Sequence, residues 1–335
     1  INSMGVYIIA EAGVNHNGNI DLAFKLCDAA KEAGADAVKF QTWKTEKIVT
    51  KQADMASYQQ DNVLNKTQSQ FDMLKALELS YDSFVKIKEH CRNIDIEFLS
   101  TPDEEESLEF LYKLGLPFIK LGSGEVTNLP YLRKVGSLKT DVILSTGMSY
   151  LSEVEIAYRT LLEYGAKSVS LLHCTTNYPC PIDEVNLTAM QTLRNAFKCK
   201  VGYSDHTMGI EVPVAAVALG AEIIEKHFTL DQNMDGPDHK ASLNPQQLKL
   251  MVSSIRNIEK ALGDGIKKPN KSEQIISEVV LKRIVAKAHI NAGDILNENN
   301  LTVKRSSEGI KASMWDFVVG RKANMNYEID DPIKI

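Results

Sequence analysis

Two histidines at the ends of apolar segments could bind one metal ion. His206 and His227 each come at the carboxyl end of a short β-branched run, and the two runs are consecutive in the chain. Adjacent strands of a parallel sheet lie ~4.8 Å apart, so both imidazoles could reach one point. Completed by carboxylate or water, such a pair suits Mn²⁺, Co²⁺, Fe²⁺ or Zn²⁺. Asp205 or Glu11 could be a further ligand or the partner of one. Alternatively, each histidine is a hydrogen-bonded core residue.

Two lysines inside apolar runs indicate an anion site. Lys39 and Lys120 are each flanked by apolar residues, where an ammonium group is costly unless it is paired or bound to an anion. Hydroxyl residues at other run ends could add donors for a phosphate or carboxylate: Thr101, Ser123, Ser145 and Ser204. The alternative is that each lysine is paired with Glu11 or Glu125. A metal beside an anion cradle suits an anionic three-carbon substrate that meets an electrophile polarised by the metal.

Eight apolar runs alternate with amphipathic stretches along the chain. The runs predict strands at residues 6–11, 37–41, 96–100, 118–122, 142–146, 169–173, 200–204 and 223–227. The amphipathic stretches predict helices, among them 21–33, 151–164 and 245–262. This alternation implies parallel βαβ units and therefore an α/β fold. Eight units over about 260 residues match the size of the (β/α)8 TIM barrel. A doubly wound sheet would also alternate, but the glycine signatures of nucleotide binding that often accompany it are absent.

The barrel fold would bring the polar residues together, because the active site of such barrels lies at the carboxyl ends of the strands. Residues 43–80 are a long polar excursion after the second predicted strand. They predict a loop with a helix inside it, which could form a lid.

The composition of the sequence changes after residue 263. Residues 264–277 are rich in lysine and polar residues, which is the composition of a linker. Residues 278–335 contain short strand-like runs, and a segment this short buries little core alone. We therefore predict a catalytic barrel at 1–263, a linker, and a small C-terminal domain that packs against its own barrel or another subunit.

Composition excludes several classes of protein. The 335-residue chain has a formal net charge of −6 and no block of Lys and Arg, which argues against nucleic acid as a partner. It has no apolar run long enough to span a membrane. Five cysteines without a C-x-x-C pair argue against a disulfide framework and for a reducing compartment. With no signal-peptide layout at the N-terminus, a cytoplasmic location is expected.

An ordered set of motifs resembles the sialic acid synthase family. The matching segments are residues 9–18 (IAEAGVNHNG), 38–42 (VKFQT), 99–102 (LSTP), 120–125 (KLGSGE), 144–148 (LSTGM), 172–175 (LHCT), 202–207 (GYSDHT), 225–229 (EKHFT) and 236–239 (GPDH). In the tail, residues 292–296 (AGDIL) and 300–305 (NLTVKR) resemble the antifreeze-like (SAF) domain of the family, which is β-rich. The resemblance covers essentially the whole chain.

The resemblance implies a metal-dependent condensation. In this reaction C3 of phosphoenolpyruvate attacks the aldehyde of an open-chain N-acylated mannosamine-type sugar, water adds at C2, and phosphate leaves to give a nine-carbon 2-keto acid. His206 and His227 are implied as ligands of a divalent metal, usually Mn²⁺ (manganese), which would polarise the aldehyde oxygen. Glu11 is implied as the residue that orients or deprotonates the water, or that holds water on the metal.

The resemblance also assigns substrate contacts and an assembly. The implied phosphoenolpyruvate cradle consists of Lys39, Thr101, Lys120, Ser123, Ser145 and Ser204. The implied sugar contacts are Gln41, Glu125, Tyr178 and Asp238. Arg305 resembles an arginine that the tail of one subunit inserts into the barrel of its partner, which implies a domain-swapped homodimer.

Sugar specificity is a finer question. Many relatives have an aromatic residue where this chain has Asp103, and some have Asn where Thr176 stands. Residues 233–243 and 263–268 are most similar to bacterial legionaminic acid synthases, which accept 2,4-diacetamido-2,4,6-trideoxymannose. The alternative is an N-acetylneuraminate synthase that uses N-acetylmannosamine. A Schiff-base barrel aldolase using Lys39 or Lys120, and a carbohydrate-binding protein without catalysis, are hypotheses from other classes.

Overall fold

The computed structural model describes residues 5–335, which form two compact units divided between Gly263 and Asp264. The first unit contains eight strands: β1 (Tyr7–Gly13), β2 (Ala37–Thr42), β3 (Glu97–Pro102), β4 (Ile119–Leu121), β5 (Asp141–Ser145), β6 (Ser168–His173), β7 (Val201–Asp205) and β8 (Ile223–His227). They pair in parallel in the order β3-β2-β1-β8-β7-β6-β5-β4, and the outermost strands β3 and β4 lie in contact. The sheet forms a nearly closed barrel, which confirms the predicted (β/α)8 fold.

Helices connect these strands. They are α1 (Ile20–Ala33), α2 (Thr45–Ile48), α3 (Ser57–Asn62), α4 (Gln70–Leu77), α5 (Tyr81–Asn93), α6 (Glu105–Leu114), α7 (Leu129–Ser137), α8 (Leu151–Glu163), α9 (Ala189–Phe197), α10 (Glu211–Ala218) and α11 (Pro245–Leu262). The side chain of Asn19 accepts a hydrogen bond from the backbone of Asp21 at the start of α1, and Gly34 ends the helix with a φ of 84°. Such caps are signals that the sequence itself carries. No helix in the described part of the chain is long and apolar enough to cross a membrane.

The excursion at residues 43–80 differs from the expected loop with one helix. It holds three short helices, α2, α3 and α4. Its apolar side chains form a small buried cluster with one residue of the β1–α1 loop: Val14, Trp43, Met55, Val63, Met73 and Leu77. The excursion therefore has a core of its own, which its polar composition did not indicate.

One apolar layer fills the lower part of the barrel. Its members are Ile9, Ala37, Leu99, Phe118, Ile143, Leu172 and Ile223. Side chains alternate between the two faces of a strand, so residues two positions further along also point inward. In β2, Ala37 is followed at this spacing by Lys39, and in β8, Ile223 is followed by Glu225 and His227. A polar layer thus lies directly above an apolar floor, toward the carboxyl ends of the strands.

The outer face of the strands packs against the helices and contains one buried ion pair. Lys226, between two inward-facing residues of β8, points the opposite way and is completely buried. Its ammonium group contacts the carboxylate of Asp205 at 2.5 Å and also donates to the backbone carbonyl of Thr207. The Thr207 hydroxyl donates to the same carboxylate. The pair is satisfied on both sides and ties β8 to the end of β7.

The second unit has a small core of its own. It contains α12 (Lys271–Val280), the antiparallel strands β9 (Lys282–Ala286) and β10 (Leu301–Arg305), and α13 (Trp315–Val318). Its buried apolar residues are Ile284, Ala286, Ile290, Leu296, Leu301, Val318, Ala323, Tyr327 and Ile333. The helix α12 overlaps the predicted linker, 264–277. Its capping box, Asn270 with Glu273, is a helix start signal that is readable in the sequence.

Replacing Lys226 with methionine should destabilise the barrel. The buried Asp205 carboxylate would lose its ammonium partner, and breaking a buried pair in this way costs about 3–5 kcal/mol. Denaturant unfolding measures the change in the free energy of unfolding. The double variant Lys226→Met/Asp205→Asn is the control, and we expect it to be more stable than the single variant because no unpaired charge is left. Wild-type stability of Lys226→Met would contradict the expectation.

Candidate active site

A cavity of about 160 Å³ opens at the carboxyl ends of the barrel strands. Its walls are formed by Glu11, Lys39, Gln41, Thr101, Asp103, Lys120, Gly122, Ser123, Ser145, Cys174, Tyr178, Ser204, His206, Glu225 and His227. All site residues expected from the sequence are among them except Glu125, Asp238 and Arg305. The barrel therefore gathers side chains that are more than 200 positions apart in the chain.

Lys39 lies at the centre of a buried polar cluster. Its ammonium group contacts the carboxylate of Glu11 at 2.6 Å and donates to the hydroxyl of Thr101 at 2.9 Å. Glu225 lies 3.7 Å away on the other side. The Gln41 amide donates to the remaining oxygen of Glu11 at 3.0 Å, which holds that carboxylate in place.

Lys120, in β4, has a similar environment. Its ammonium group donates to the Ser145 hydroxyl at 2.8 Å and lies 3.4 Å from Glu225. The hydroxyl of Ser204 donates to the same Glu225 oxygen at 2.8 Å. Each lysine is therefore paired with a carboxylate, and Glu225 is shared by both. Hydroxyl groups adjoin each ammonium group, as an anion cradle requires.

Burial and charge act against each other in this cluster. Burial lowers the pKa of Lys39, but the carboxylates of Glu11 and Glu225 raise it overall. Burial lowers the pKa of Lys120, and the nearby charge of Lys39 adds to the effect. Burial would raise the pKa of Glu225, but the two lysines hold it well below its usual range. Burial raises the pKa of Glu11 despite Lys39, so Glu11 is the carboxylate more inclined to accept a proton.

The two predicted metal ligands lie side by side in the cavity wall, at the ends of the neighbouring strands β7 and β8. The rings of His206 and His227 have centroids 5.5 Å apart, and both are buried. Burial lowers the pKa of His206, and burial together with His206 lowers the pKa of His227 well below its usual value. Both imidazoles are therefore neutral near pH 7, which is the form that binds metal.

Hydrogen bonding leaves a lone pair on each ring available. Nδ1 of His206 lies 2.6 Å from the carbonyl oxygen of Thr175, which can only accept, so Nδ1 carries the proton and Nε2 is free to ligate. Nδ1 of His227 is buried without a hydrogen-bond partner, and the nearest carboxylate, Asp238, is 3.8 Å away. In residues 5–335 no group of three or more His, Cys, Asp or Glu side chains is arranged to hold a metal. The two imidazoles fit a metal whose other ligands are water or substrate.

The remaining predicted residues occupy different parts of the site. The Tyr178 ring lies against His206, with centroids 4.1 Å apart, and meets His227 edge-on. Ser123 accepts a hydrogen bond from the backbone of Gly147 at 2.9 Å. Glu125 lies beside the cavity wall and accepts a hydrogen bond from Asn128 at 2.7 Å.

Neither Asp238 nor Arg305 is a lining residue of the cavity. Asp238 flanks His227, and burial followed by the charge of Glu11 raises its pKa to about 7. Arg305 ends β10 in the second unit and is exposed. Asp205, considered as an additional ligand, faces Lys226 behind the barrel instead.

Several cavity residues were given no site role from the sequence. Glu225 is the most important, because it links the two lysines. Its signal was available: it precedes His227 by two positions in the same strand and so must face the same way. Asp103 follows Thr101 by the same spacing. For Cys174 and Gly122 no such signal distinguishes a wall residue from a packing residue.

The fold and site define a TIM barrel with two buried, carboxylate-paired lysines in one cavity with two neutral imidazoles. The family model described as the NeuB family matches residues 26–267, and the SAF domain model matches residues 283–335. The chain is 52% identical to N,N'-diacetyllegionaminic acid synthase of Campylobacter jejuni, with 98% of each chain covered. It is 47% identical to the enzyme of the same name from Legionella pneumophila, covering 97% of this chain and 92% of that one.

A solved structure agrees with these matches. The crystal structure of N-acetylneuraminic acid synthetase from Leptospira borgpetersenii superposes with a TM-score of 0.71 at 36% identity, over 82% of this chain and 90% of that chain. The chain belongs to the NeuB family, that of the sialic acid synthases, and it carries the SAF domain of its relatives.

Replacing Glu225 with glutamine should reduce stability at neutral pH. Because its folded-state pKa is depressed, Glu225 contributes stability that is fully present above the ordinary glutamate pKa of 4.5 and is lost as the pH falls through the lower folded-state value. We expect the variant to be less stable at pH 7 by about 3 kcal/mol, since two buried ammonium groups lose a partner. Denaturant unfolding between about pH 7 and pH 3 should show that the difference in the free energy of unfolding between wild type and variant becomes smaller as the pH falls.

The exposed residue Glu163 provides a matched control. Glu163→Gln removes a carboxylate from the barrel surface and should leave both the stability and its pH dependence unchanged. A Glu225→Gln variant with a wild-type profile would contradict the shared role of Glu225.

Proposed function

We propose that this protein condenses phosphoenolpyruvate with an N-acylated mannosamine-type aldehyde and releases phosphate, as an N,N'-diacetyllegionaminate synthase. The observation that supports this most directly is the site itself: two buried lysines with adjoining hydroxyls lie in one cavity with two neutral, neighbouring imidazoles. A trianionic substrate needs the first group of residues, and a carbonyl electrophile benefits from the second. The named function of the two legionaminic acid synthases, similar over nearly the whole chain, supports the choice of product.

The lysine cluster would hold phosphoenolpyruvate. Its phosphate and carboxylate would be bound by Lys39, Lys120, Ser145 and neighbouring hydroxyls, at the points where these donors converge. Glu225 would keep both ammonium groups charged and oriented while the anion is absent. The ion pairs present in this structure are thus compatible with an anion cradle, because a bound anion can share the ammonium donors.

Glu11 would act on the water that adds to C2 of phosphoenolpyruvate. Its carboxylate is fixed by Lys39 and Gln41, and burial already raises its pKa. An anion that engages Lys39 would draw that ammonium group away from Glu11 and make Glu11 still more basic. Glu11 would then orient the water or accept its proton as C–O bond formation proceeds.

His206 and His227 would hold a divalent metal, which we propose to be Mn²⁺ (manganese). Their neutral state and available lone pairs support this assignment. The bound metal would supply Lewis acidity toward the aldehyde oxygen of the sugar. Tyr178, packed on both rings, would keep them in place and cover them from water.

The sugar would lie above the imidazoles, near Gln41, Tyr178, Glu125 and Asp238. We propose 2,4-diacetamido-2,4,6-trideoxymannose as the substrate, in accordance with the names of the relatives. N-acetylmannosamine is the alternative, supported by similarity to N-acetylneuraminic acid synthetase at lower identity.

A phosphate-release assay tests the reaction and its metal. Purified protein with phosphoenolpyruvate, either sugar and Mn²⁺ should release phosphate, with the higher kcat/KM for the diacetamido sugar. EDTA should abolish turnover and Mn²⁺ should restore it. His206→Ala and His227→Ala should lower kcat by at least about 100-fold, because several kcal/mol of carbonyl polarisation would be lost.

The exposed histidine His289 serves as a control, and His289→Ala should keep full activity. Chelator-resistant turnover would contradict the metal assignment. Covalent trapping of Lys39 or Lys120 by borohydride with a keto acid would instead establish a Schiff-base aldolase. Sugar binding without phosphate release would favour a carbohydrate-binding protein.

We further propose a domain-swapped homodimer in which Arg305 of one chain completes the cavity of the other. The cavity walls consist of first-unit residues and include no arginine within residues 5–335, although the substrate is strongly anionic. Arg305 is an exposed cation at the end of β10, available to a partner. The small core of the second unit is consistent with stabilisation by a neighbouring subunit.

Complementation between inactive variants tests the swap. Arg305→Ala and His206→Ala should each be inactive alone, but co-expression should restore about a quarter of wild-type activity, because half of the dimers are mixed and each has one intact site. Mixing two Arg305→Ala preparations with different tags is the control and should restore nothing. Absence of recovery in verified mixed dimers, or a fully active monomer, would contradict the swap.

A further inference from the structure

Asp103 is a cavity residue without a role in the reaction described above. It directly follows β3, two positions after Thr101, and lines the same cavity. Its backbone N–H donates to the carbonyl of Thr42 at 3.1 Å, and the Tyr131 hydroxyl donates to the preceding carbonyl, that of Pro102, at 2.7 Å. The backbone that carries the Asp103 side chain is therefore held by hydrogen bonds from two neighbouring elements.

The Asp103 carboxyl lacks a hydrogen-bond donor within residues 5–335, although it is partly buried. Burial raises its pKa to about 7, with further contributions from Glu125, Glu11 and Glu104, while Lys39 opposes the shift. The oxygens of Asp103 remain accessible from the open cavity. They can therefore accept a hydrogen bond from a ligand that brings an N–H or O–H group to this point.

The charge of the Asp103 carboxyl indicates which of the two substrates it would contact. Carboxyl groups of Asp103 and Glu125 repel the phosphate and carboxylate of phosphoenolpyruvate, which Lys39 and Lys120 attract. The acyclic acylamino sugar is uncharged and carries amide N–H and hydroxyl donors along its length. The carboxyl of Asp103 is therefore suited to a donor group of the sugar, and the ammonium groups of the lysines are suited to phosphoenolpyruvate.

We propose that Asp103 is a specificity-determining residue for the sugar, whose carboxyl group accepts a hydrogen bond from an amide or hydroxyl donor of the open-chain substrate. The inference rests on the proposed synthase function and adds a contact to its sugar subsite. It predicts an effect on the KM for the sugar and little effect on the KM for phosphoenolpyruvate.

Steady-state phosphate release by the Mn²⁺-loaded enzyme tests the contact. Asp103→Leu keeps a similar side-chain size but has no acceptor, and it should raise the KM for the diacetamido sugar by about 10-fold or more, the usual effect of losing a hydrogen bond to a charged group. The KM for phosphoenolpyruvate should stay within about twofold. Asp103→Asn keeps one acceptor oxygen and should show a smaller increase. If Asp103→Leu unfolds, Asp103→Asn decides the matter.

Two further measurements separate binding from a general loss of charge. Glu105 is exposed in the first turn of α6 and does not line the cavity, so Glu105→Leu is the matched control and should leave both KM values unchanged. The KM for the sugar should fall as the pH rises through about 7 in the wild type, because the ionised Asp103 accepts more strongly. Asp103→Asn removes the titrating carboxyl and should show a flatter dependence of this KM on pH. The charged groups around position 103 are the same in the wild type and the variant: Glu125, Glu11, Glu104 and Lys39.

The outcomes distinguish the two levels of the proposal. The role of Asp103 is overturned if the wild type is active and both Asp103 variants keep its KM for the sugar. It is also overturned if the KM values for both substrates rise together in the variants. A wild type that releases no phosphate with either sugar overturns the proposed function itself.

Discussion

The charges of two buried ammonium groups govern the electrostatics of the whole site. Lys39 and Lys120 are almost fully buried at the carboxyl ends of the barrel strands, where an isolated charge would be strongly unfavourable. Glu11 and Glu225 neutralise them, and adjoining hydroxyls complete their hydrogen bonds. This arrangement gives the cavity donors that an anion can share without any rearrangement of the fold. It also leaves Glu11 with a raised pKa, which suits a residue that handles water.

The period of two residues in a strand explains how a barrel can support such a cluster. A layer of apolar side chains fills the lower interior and excludes water, and the next inward-facing residue of each strand belongs to the polar layer. In β8, Ile223 packs in the apolar layer, Glu225 pairs with the lysines, and His227 is a proposed metal ligand. The outward-facing Lys226 is used for stability instead, through its ion pair with Asp205. The inward face of the strand thus supplies cavity residues, and its outward face supplies a stabilising ion pair.

Carboxyls with raised pKa values adjoin the paired lysines. Asp103 lines the same cavity as Lys39 and Lys120, while Glu125 and Asp238 lie outside its walls. Burial raises the pKa of all three of these carboxyls, so some are protonated near neutral pH and can donate as well as accept. The two imidazoles of the cavity are kept neutral by the same burial. This combination is compatible with the proposed reaction of an anionic nucleophile with an uncharged electrophile.

The sequence by itself determined the barrel, because eight apolar runs with intervening amphipathic helices have few other solutions, and family motifs made the strand-end residues recognisable. It also indicated that the two lysines must be paired or bound to an anion. Only the tertiary structure decided which carboxylates do this: Lys120 is paired with Glu225, more than 100 positions away, and not with Glu125, which is close in sequence. The same holds for Asp205, which the sequence places next to a predicted ligand and the fold turns toward Lys226. The physical reason is that pairing inside a barrel depends on strand register and on the face to which each side chain points, and neighbouring residues of a strand point to opposite faces.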